Sequence, residues 1–269
     1  MTRCRLSQTQ LSQLADQLSP RCTTALPHLH RAHLLTGAHL DQLLAQPDTS
    51  QHTTARDRRR IMTRLINLGL VTTLQRRIGG VRAGSAGHIY TLTHAGHRLH
   101  AILTGQPCPP RATNTATPGT LFLAHTLAIS DIYVALTQAQ HDHDFILATF
   151  ITEPRCWCPT GHGDYLKPDA YCVLATTTHQ DCWWLEVDQA TESLPRIHTK
   201  CQAYLYYLTH GGLGPDQVPP RVLYTTPHTT RTNNINQVIR KASTQDTNLI
   251  NTTTHTDAHT FLINELLTT

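Results

Sequence analysis

Leu166-Lys167-Pro168-Asp169-Ala170-Tyr171-Cys172-Val173-Leu174 is followed, after a polar turn, by Cys182-Trp183-Trp184-Leu185-Glu186-Val187-Asp188. Two β-branched and aromatic runs with a short polar segment between them predict a hairpin. Each run carries a carboxylate where a core strand ordinarily has an apolar residue. Asp169 opens the first strand, and Glu186 and Asp188 close the second. In an antiparallel pair the start of one strand lies beside the end of the next, so these acids are expected to converge. Side chains alternate with period two, which puts 186 and 188 on one face. Like charges gathered at a sheet edge cost free energy unless a cation neutralises them. Hard oxygen ligands suit Mg²⁺ or Mn²⁺, so Asp169, Glu186 and Asp188 are candidate metal ligands.

A helix-like run, Thr191 to Leu208, comes next, with Leu194, Ile197, Cys201, Leu205 and Leu208 as its apolar stripe. Lys200 and Tyr204 stand one turn apart on its flank, with Tyr207 beyond. Lys200 is one of only three lysines in the chain, which marks it as a candidate for chemistry. Plainer readings exist for each residue. Asp169 after a proline fits a turn cap, Asp188 fits the N-cap of the next helix, and the tyrosines fit a core edge.

Outward from this stretch, Leu121 to Ala139 reads as a helix carrying Asp131, and Phe145 to Ile151 as a strand. On the other side come a strand at Val222 to Thr226 and helices at about 231–242 and 258–267. The Thr-rich segment 251–256 gives no signal. The Pro/Thr-rich stretch 105–119 reads as a linker, which divides the chain into modules at 1–104 and 120–269.

The first module predicts helices at 8–18, 24–35, 36–44 (with Thr36 as N-cap) and about 54–68. Strands at 70–74 and 88–93 flank a Gly-rich basic loop, and helix 94–104 closes the unit. The last three of these helices followed by a hairpin give the winged helix-turn-helix order. Arg56, Arg58, Arg59, Arg60 and Arg64 on the helix before the hairpin are then candidates for the major groove. Arg76, Arg77 and Arg82 at the hairpin would meet phosphate or minor groove. The plainer alternative is a solvated basic helix beside an ordinary hairpin.

Charge supports two modules with different partners. Residues 1–104 hold thirteen arginines against four aspartates, a net of +9, while the 9 basic and 14 acidic residues beyond leave −5. Only three lysines occur, against nineteen arginines, and two of them (Lys167 and Lys200) fall in the focal stretch. No apolar run approaches the roughly 20 residues of a membrane span. The N-terminal residues lack the apolar core of a secretory signal, so a cytoplasmic location with reduced thiols is expected. Cys156-Trp157-Cys158 has one residue between its cysteines, short of the usual zinc spacing.

The order helix, three strands, helix, strand, with Pro168-Asp169 seventeen positions before Glu186-Val187-Asp188, resembles the PD-(D/E)XK nuclease superfamily. That likeness implies an α+β chain: a winged helix-turn-helix domain, then an α/β restriction-endonuclease-like domain with an αβββαβ core. It also implies Mg²⁺ or Mn²⁺ at the acids and metal-dependent cleavage or nicking of DNA. Where the superfamily has a lysine two residues after the Glu, this chain has Asp188, and Lys200 on the following helix would replace it. Pro168-Asp169-Ala170, Glu186-Val187-Asp188-Gln189-Ala190-Thr191-Glu192 and Lys200-Cys201-Gln202-Ala203-Tyr204 together resemble the bacterial replication-relaxation family over roughly 25–226. This second resemblance implies a role in DNA replication or relaxation on plasmids or other mobile elements. DNA is the expected partner and no membrane is. The reading also admits a homodimer and replication or mobilisation proteins as partners. A nuclease fold that only binds DNA, as a regulator, is the rival reading.

Overall fold

A computed structural model of the chain describes residues 6–45, 51–77, 87–109, 119–161, 163–242 and 248–268, without the side chains of 51–53 and 75–77. The chain forms two compact units, Met1–Ser130 and Asp131–Thr269. Most of the expected linker, 110–118, lies outside the described residues.

The first unit begins with helices α1 (Gln8–Gln17) and α2 (Pro20–Ala32). The short strand β1 (Leu35–Thr36), which has no sequence signature of its own, leads into α3 (Gly37–Leu43). Thr36 caps α3 as expected, its Oγ1 accepting from the His39 amide at 3.1 Å. Then come α4 (Gln51–Asn67), β2 (Val71–Arg77), β3 (His88–Leu92) and α5 (His94–Thr104). The strands pair antiparallel in the order β1-β3-β2. Leu26, Leu29, Leu35, Leu40, Leu65, Ile89 and Leu99 are sealed in the core.

Gly96 decides how α5 seats. A Cβ there would stand 2.1 Å from the Leu70 carbonyl oxygen, so only glycine lets the helix lie against the start of β2. Thr93 completes the joint by capping α5 at the Gly96 amide (3.1 Å) and donating to the Gly69 carbonyl (2.6 Å).

The helix α6 (Thr120–Ala139) contains the division between the units. Against the expectation that no apolar run reaches the length of a membrane span, it is long and apolar enough to cross a membrane, unlike any other helix among the described residues. Yet more than half of that stretch is buried within the protein.

The second unit follows with β4 (Ile146–Thr152), the small pair β5 (Cys158–Pro159) and β6 (Tyr165–Leu166), β7 (Ala170–Ala175) and β8 (Gln180–Val187). After these come α7 (Leu194–Thr209), β9 (Arg221–Thr226), α8 (Thr229–Ala242), β10 (Ile250–Thr254) and α9 (Ala258–Thr268). The main sheet runs β10-β9-β8-β7-β4. β4, β7 and β8 form an antiparallel meander, while β8, β9 and β10 are parallel. Parallel neighbours need a crossover, and α7 and α8 supply the two.

Both faces of β8 are covered, which explains why it reads as a continuous apolar run. On one face Cys182 and Trp184 pack with Ile197, Cys201 and Tyr204 of α7 and with Ile235 of α8. On the other, Trp183 meets Phe261 of α9 edge-on at 5.8 Å. The Thr-rich segment without a signal supplies β10, whose residues Ile250–Thr254 pair in register with Val222–Thr226.

Candidate functional site

The β7–β8 register brings the two key acids together. Ala170 stands opposite Leu185, and the Asp169 amide extends the ladder by one bond to the Leu185 carbonyl (3.0 Å). The Asp169 carboxylate then accepts from the Val187 amide at 2.7 Å, which holds it next to Glu186. The Cys156 thiol donates to the Pro168 carbonyl (3.1 Å), anchoring the turn from behind. On the other flank, the Glu153 amide donates to the Asp169 carbonyl at 3.0 Å. This register places a carboxylate oxygen of Glu153 within 4.8 Å of one from Asp169. Glu153 stands in the turn just after β4 and belongs to none of the motifs that marked the other acids. The available signal was a Glu-Pro pair just past a strand that must pair with the Pro168-Asp169 strand.

Glu186 shares the α7 face of β8 with Cys182 and Trp184 and is only 2% exposed. A carboxylate this deep demands partners. Lys200 gives one, with Nζ 2.5 Å from Oε2, and the Tyr204 hydroxyl gives the other at 2.5 Å from Oε1. Both donors come from one flank of α7, one helical turn apart. Burial pushes the Glu186 carboxyl up to about 7; Lys200 opposes this and the neighbouring Asp169 charge adds to it. Burial also works against the Lys200 ammonium, but Glu186 and Asp169 outweigh it and hold its proton on. Of the two charges the lysine's is the firmer, because Lys200 is 30% exposed and its partner is sealed.

Pro168-Asp169-Ala170, Glu186 through Glu192 and Lys200 through Tyr204 thus form one structural cluster. The sequence profile of the replication-relaxation family matches residues 26–222, a span that contains all three. The chain belongs to that family. Membership ties it to the replication and relaxation of mobile elements. No curated protein and no solved structure matches the chain.

In this replication-relaxation protein Asp188 goes its own way. Its carboxylate accepts from Arg231 Nε of α8 at 2.6 Å, and the same guanidinium donates to the Glu192 carbonyl at 2.5 Å. The neighbouring helix α7 is capped at Ser193, so Asp188 is not its N-cap either. Arg231, 43 residues away, had no local signal. Tyr204 is sealed with its hydroxyl on Glu186, while the Tyr207 hydroxyl donates to the Leu213 carbonyl at 3.0 Å. Asp131 lies exposed on α6.

Among the arginines assigned to DNA, Arg56, Arg59, Arg60 and Arg64 are exposed along α4. Arg58 is not on that surface. It is 1% exposed and pairs through Nε with Asp41 of α3 at 2.7 Å. Arg58, Ile61 and Leu65 fall on one helical face, so period 3.6 assigns Arg58 to the core side; reading the arginine run as a block obscured this. Arg76 and Arg77 lie in β2, but their side chains, and Arg82 altogether, lie outside the described residues.

Glu153 and Asp169, with carboxylate oxygens within 4.8 Å of each other, are the acids whose spacing could hold a hard divalent cation, while each Glu186 oxygen already accepts a bond from Lys200 or Tyr204.

Proposed function

We propose that this protein binds DNA through its first unit and cuts or nicks a DNA phosphodiester at the Asp169–Glu186–Lys200 cluster of its second. The convergence of these three residues at one end of the sheet carries the reading, because nothing in core packing requires a buried carboxylate, a lysine and a second acid there. The order α6-β4-β7-β8-α7-β9, interrupted only by the separate β5–β6 pair, supports a restriction-endonuclease-like core. In the first unit, the order α2-β1-α3-α4 followed by the β2–β3 hairpin, with four exposed arginines on α4, supports a winged helix-turn-helix that reads duplex DNA.

Asp169 and Glu186 would hold Mg²⁺ or Mn²⁺, with Glu153 the nearer third acid now that Arg231 engages Asp188. When bound, such an ion supplies an activated water and charge neutralisation at the phosphate. Lys200, released from part of its bond to Glu186, would meet a phosphate oxygen. The Val187 amide keeps Asp169 aimed, and Tyr204 keeps Glu186 from rotating away.

Purified protein incubated with supercoiled plasmid and Mn²⁺ is expected to yield nicked or linear product. EDTA should stop the reaction, and Asp169→Asn or Glu186→Gln should slow it at least about 100-fold. Failure to cut supercoiled, linear and single-stranded DNA alike would sink the enzyme reading. One observation favours the rival, a DNA-binding regulator: both Glu186 oxygens already have protein partners and the strand lysine is replaced by Asp188. Titration calorimetry separates the two, since a pure binder takes up no Mn²⁺ that depends on Asp169 and Glu186.

A further inference from the structure

An open cleft of about 690 Å³ lies on the second unit, lined by Glu153, Trp157, Tyr165, Lys167, Arg196 and Lys200 among others. Its volume falls within the roughly 300–1,000 Å³ of pockets that hold small organic groups. Lys200 and Tyr204 line the cleft and also bond the buried Glu186, so the cleft borders the acid cluster, with Glu153 on its wall. Its walls combine two kinds of group. Lys167, Arg196 and Lys200 provide cations, Arg196 paired with Glu192 (2.8 Å) and Lys200 with Glu186, while Lys167 is held with its Nζ 5.1 Å from the centre of the Trp157 ring. Tyr165, on β6, leaves 53% of its surface open, which is unusual for a large aromatic in a short paired strand. The Trp157 indole N–H is buried with no acceptor among the described residues.

A duplex offers phosphates to such a surface but keeps its base faces stacked inside. Exposed aromatics interleaved with cations are the composition that binds unpaired nucleotides. We infer that the cleft receives a segment of single-stranded DNA, with a base stacked on Tyr165, flanking phosphates on Lys167 and Arg196, and the strand led to Lys200 and the acids. This rests on the reading of the acids as a phosphodiester site and names the form of DNA that site takes.

The test is fluorescence anisotropy of the full chain in EDTA, which stops cleavage, with labelled dT12, a 12-bp duplex and an abasic deoxyribose-phosphate 12-mer. Loss of one stacked base is worth about 1–3 kcal/mol, so Tyr165→Ala should weaken dT12 binding about 5- to 150-fold. Tyr165→Phe should restore it, Lys167→Ala should weaken it further, and duplex binding should change in none of the three. The abasic strand should bind the wild type no better than dT12 binds Tyr165→Ala. Unchanged dT12 affinity in Tyr165→Ala, equal loss for the duplex, or equal binding of dT12 and the abasic strand would each overturn the inference. Cleavage with Mn²⁺ is read separately. A Tyr165-dependent preference for dT12 in a protein that cuts nothing would uphold the cleft and defeat the enzyme. Cutting of duplex DNA with no Tyr165 effect would do the reverse.

Discussion

Glu186 is a charge that folding has to accommodate, and its pH behaviour should show this. Its carboxyl is pushed from an ordinary 4.5 up to about 7 in the folded protein. The folded state therefore holds the proton more tightly than the unfolded chain. This contribution to stability is fully present below pH 4.5 and is lost as pH rises through 7. Between pH 5 and 8 the metal-free wild type should lose up to about 3 kcal/mol relative to Glu186→Gln, whose urea midpoint lacks this slope. Parallel slopes for the two proteins would contradict the assignment. Lys200, whose proton is held on, contributes evenly across this window. Removing it has a different effect: Lys200→Met leaves the sealed carboxylate without its counter-charge, with only the Tyr204 hydroxyl on it, a change that costs about 3–5 kcal/mol in a buried pair. Adding Glu186→Gln to Lys200→Met should recover most of that loss in the same unfolding assay.

At the scale of elements, two positions test how the first unit is assembled. Gly96→Ala places a methyl 2.1 Å from the Leu70 carbonyl oxygen, where backbone rather than a flexible side chain must yield. A loss of about 2–4 kcal/mol in chemical unfolding is expected, with α5 displaced from β2. On α4, Arg58→Ala should destabilise the unit by about 3 kcal/mol because it leaves Asp41 without its buried partner. Arg59→Ala and Arg64→Ala, on the exposed side, should leave the unfolding midpoint within about 0.5 kcal/mol of wild type. If all three behave alike, the helix is not seated as described. Element reading also shows what pattern alone conveys: period 3.6 and capping residues located α3 and α5 closely. β10 escaped because Asn251-Thr252-Thr253-Thr254 looks like polar coil until a parallel neighbour supplies its hydrogen bonds.

For the molecule as a whole, the basic front and acidic back predict that DNA affinity resides mainly in the first unit and falls steeply with salt. Each phosphate contact adds about 0.9 to the slope of log affinity against log salt. Arg59→Ala with Arg64→Ala should therefore reduce that slope for duplex DNA by about two. A slope indifferent to both would remove α4 from the interface.

Sequence by itself determined the hairpin and that Asp169 and Glu186 fall at the same end of it, because strand alternation is a local rule. Lys200 was singled out by the superfamily resemblance, and the structure sets its Nζ on Glu186. Sequence also determined the family, through motifs that lie within residues 26–222. Only the tertiary structure decided that Arg231 engages Asp188, that Glu153 joins Asp169, that Arg58 is buried and that Tyr165 stands open beside the acids. Each of these depends on which distant segment packs alongside, and in a folded chain the partner of a buried charge is chosen by proximity in space, which no local periodicity encodes.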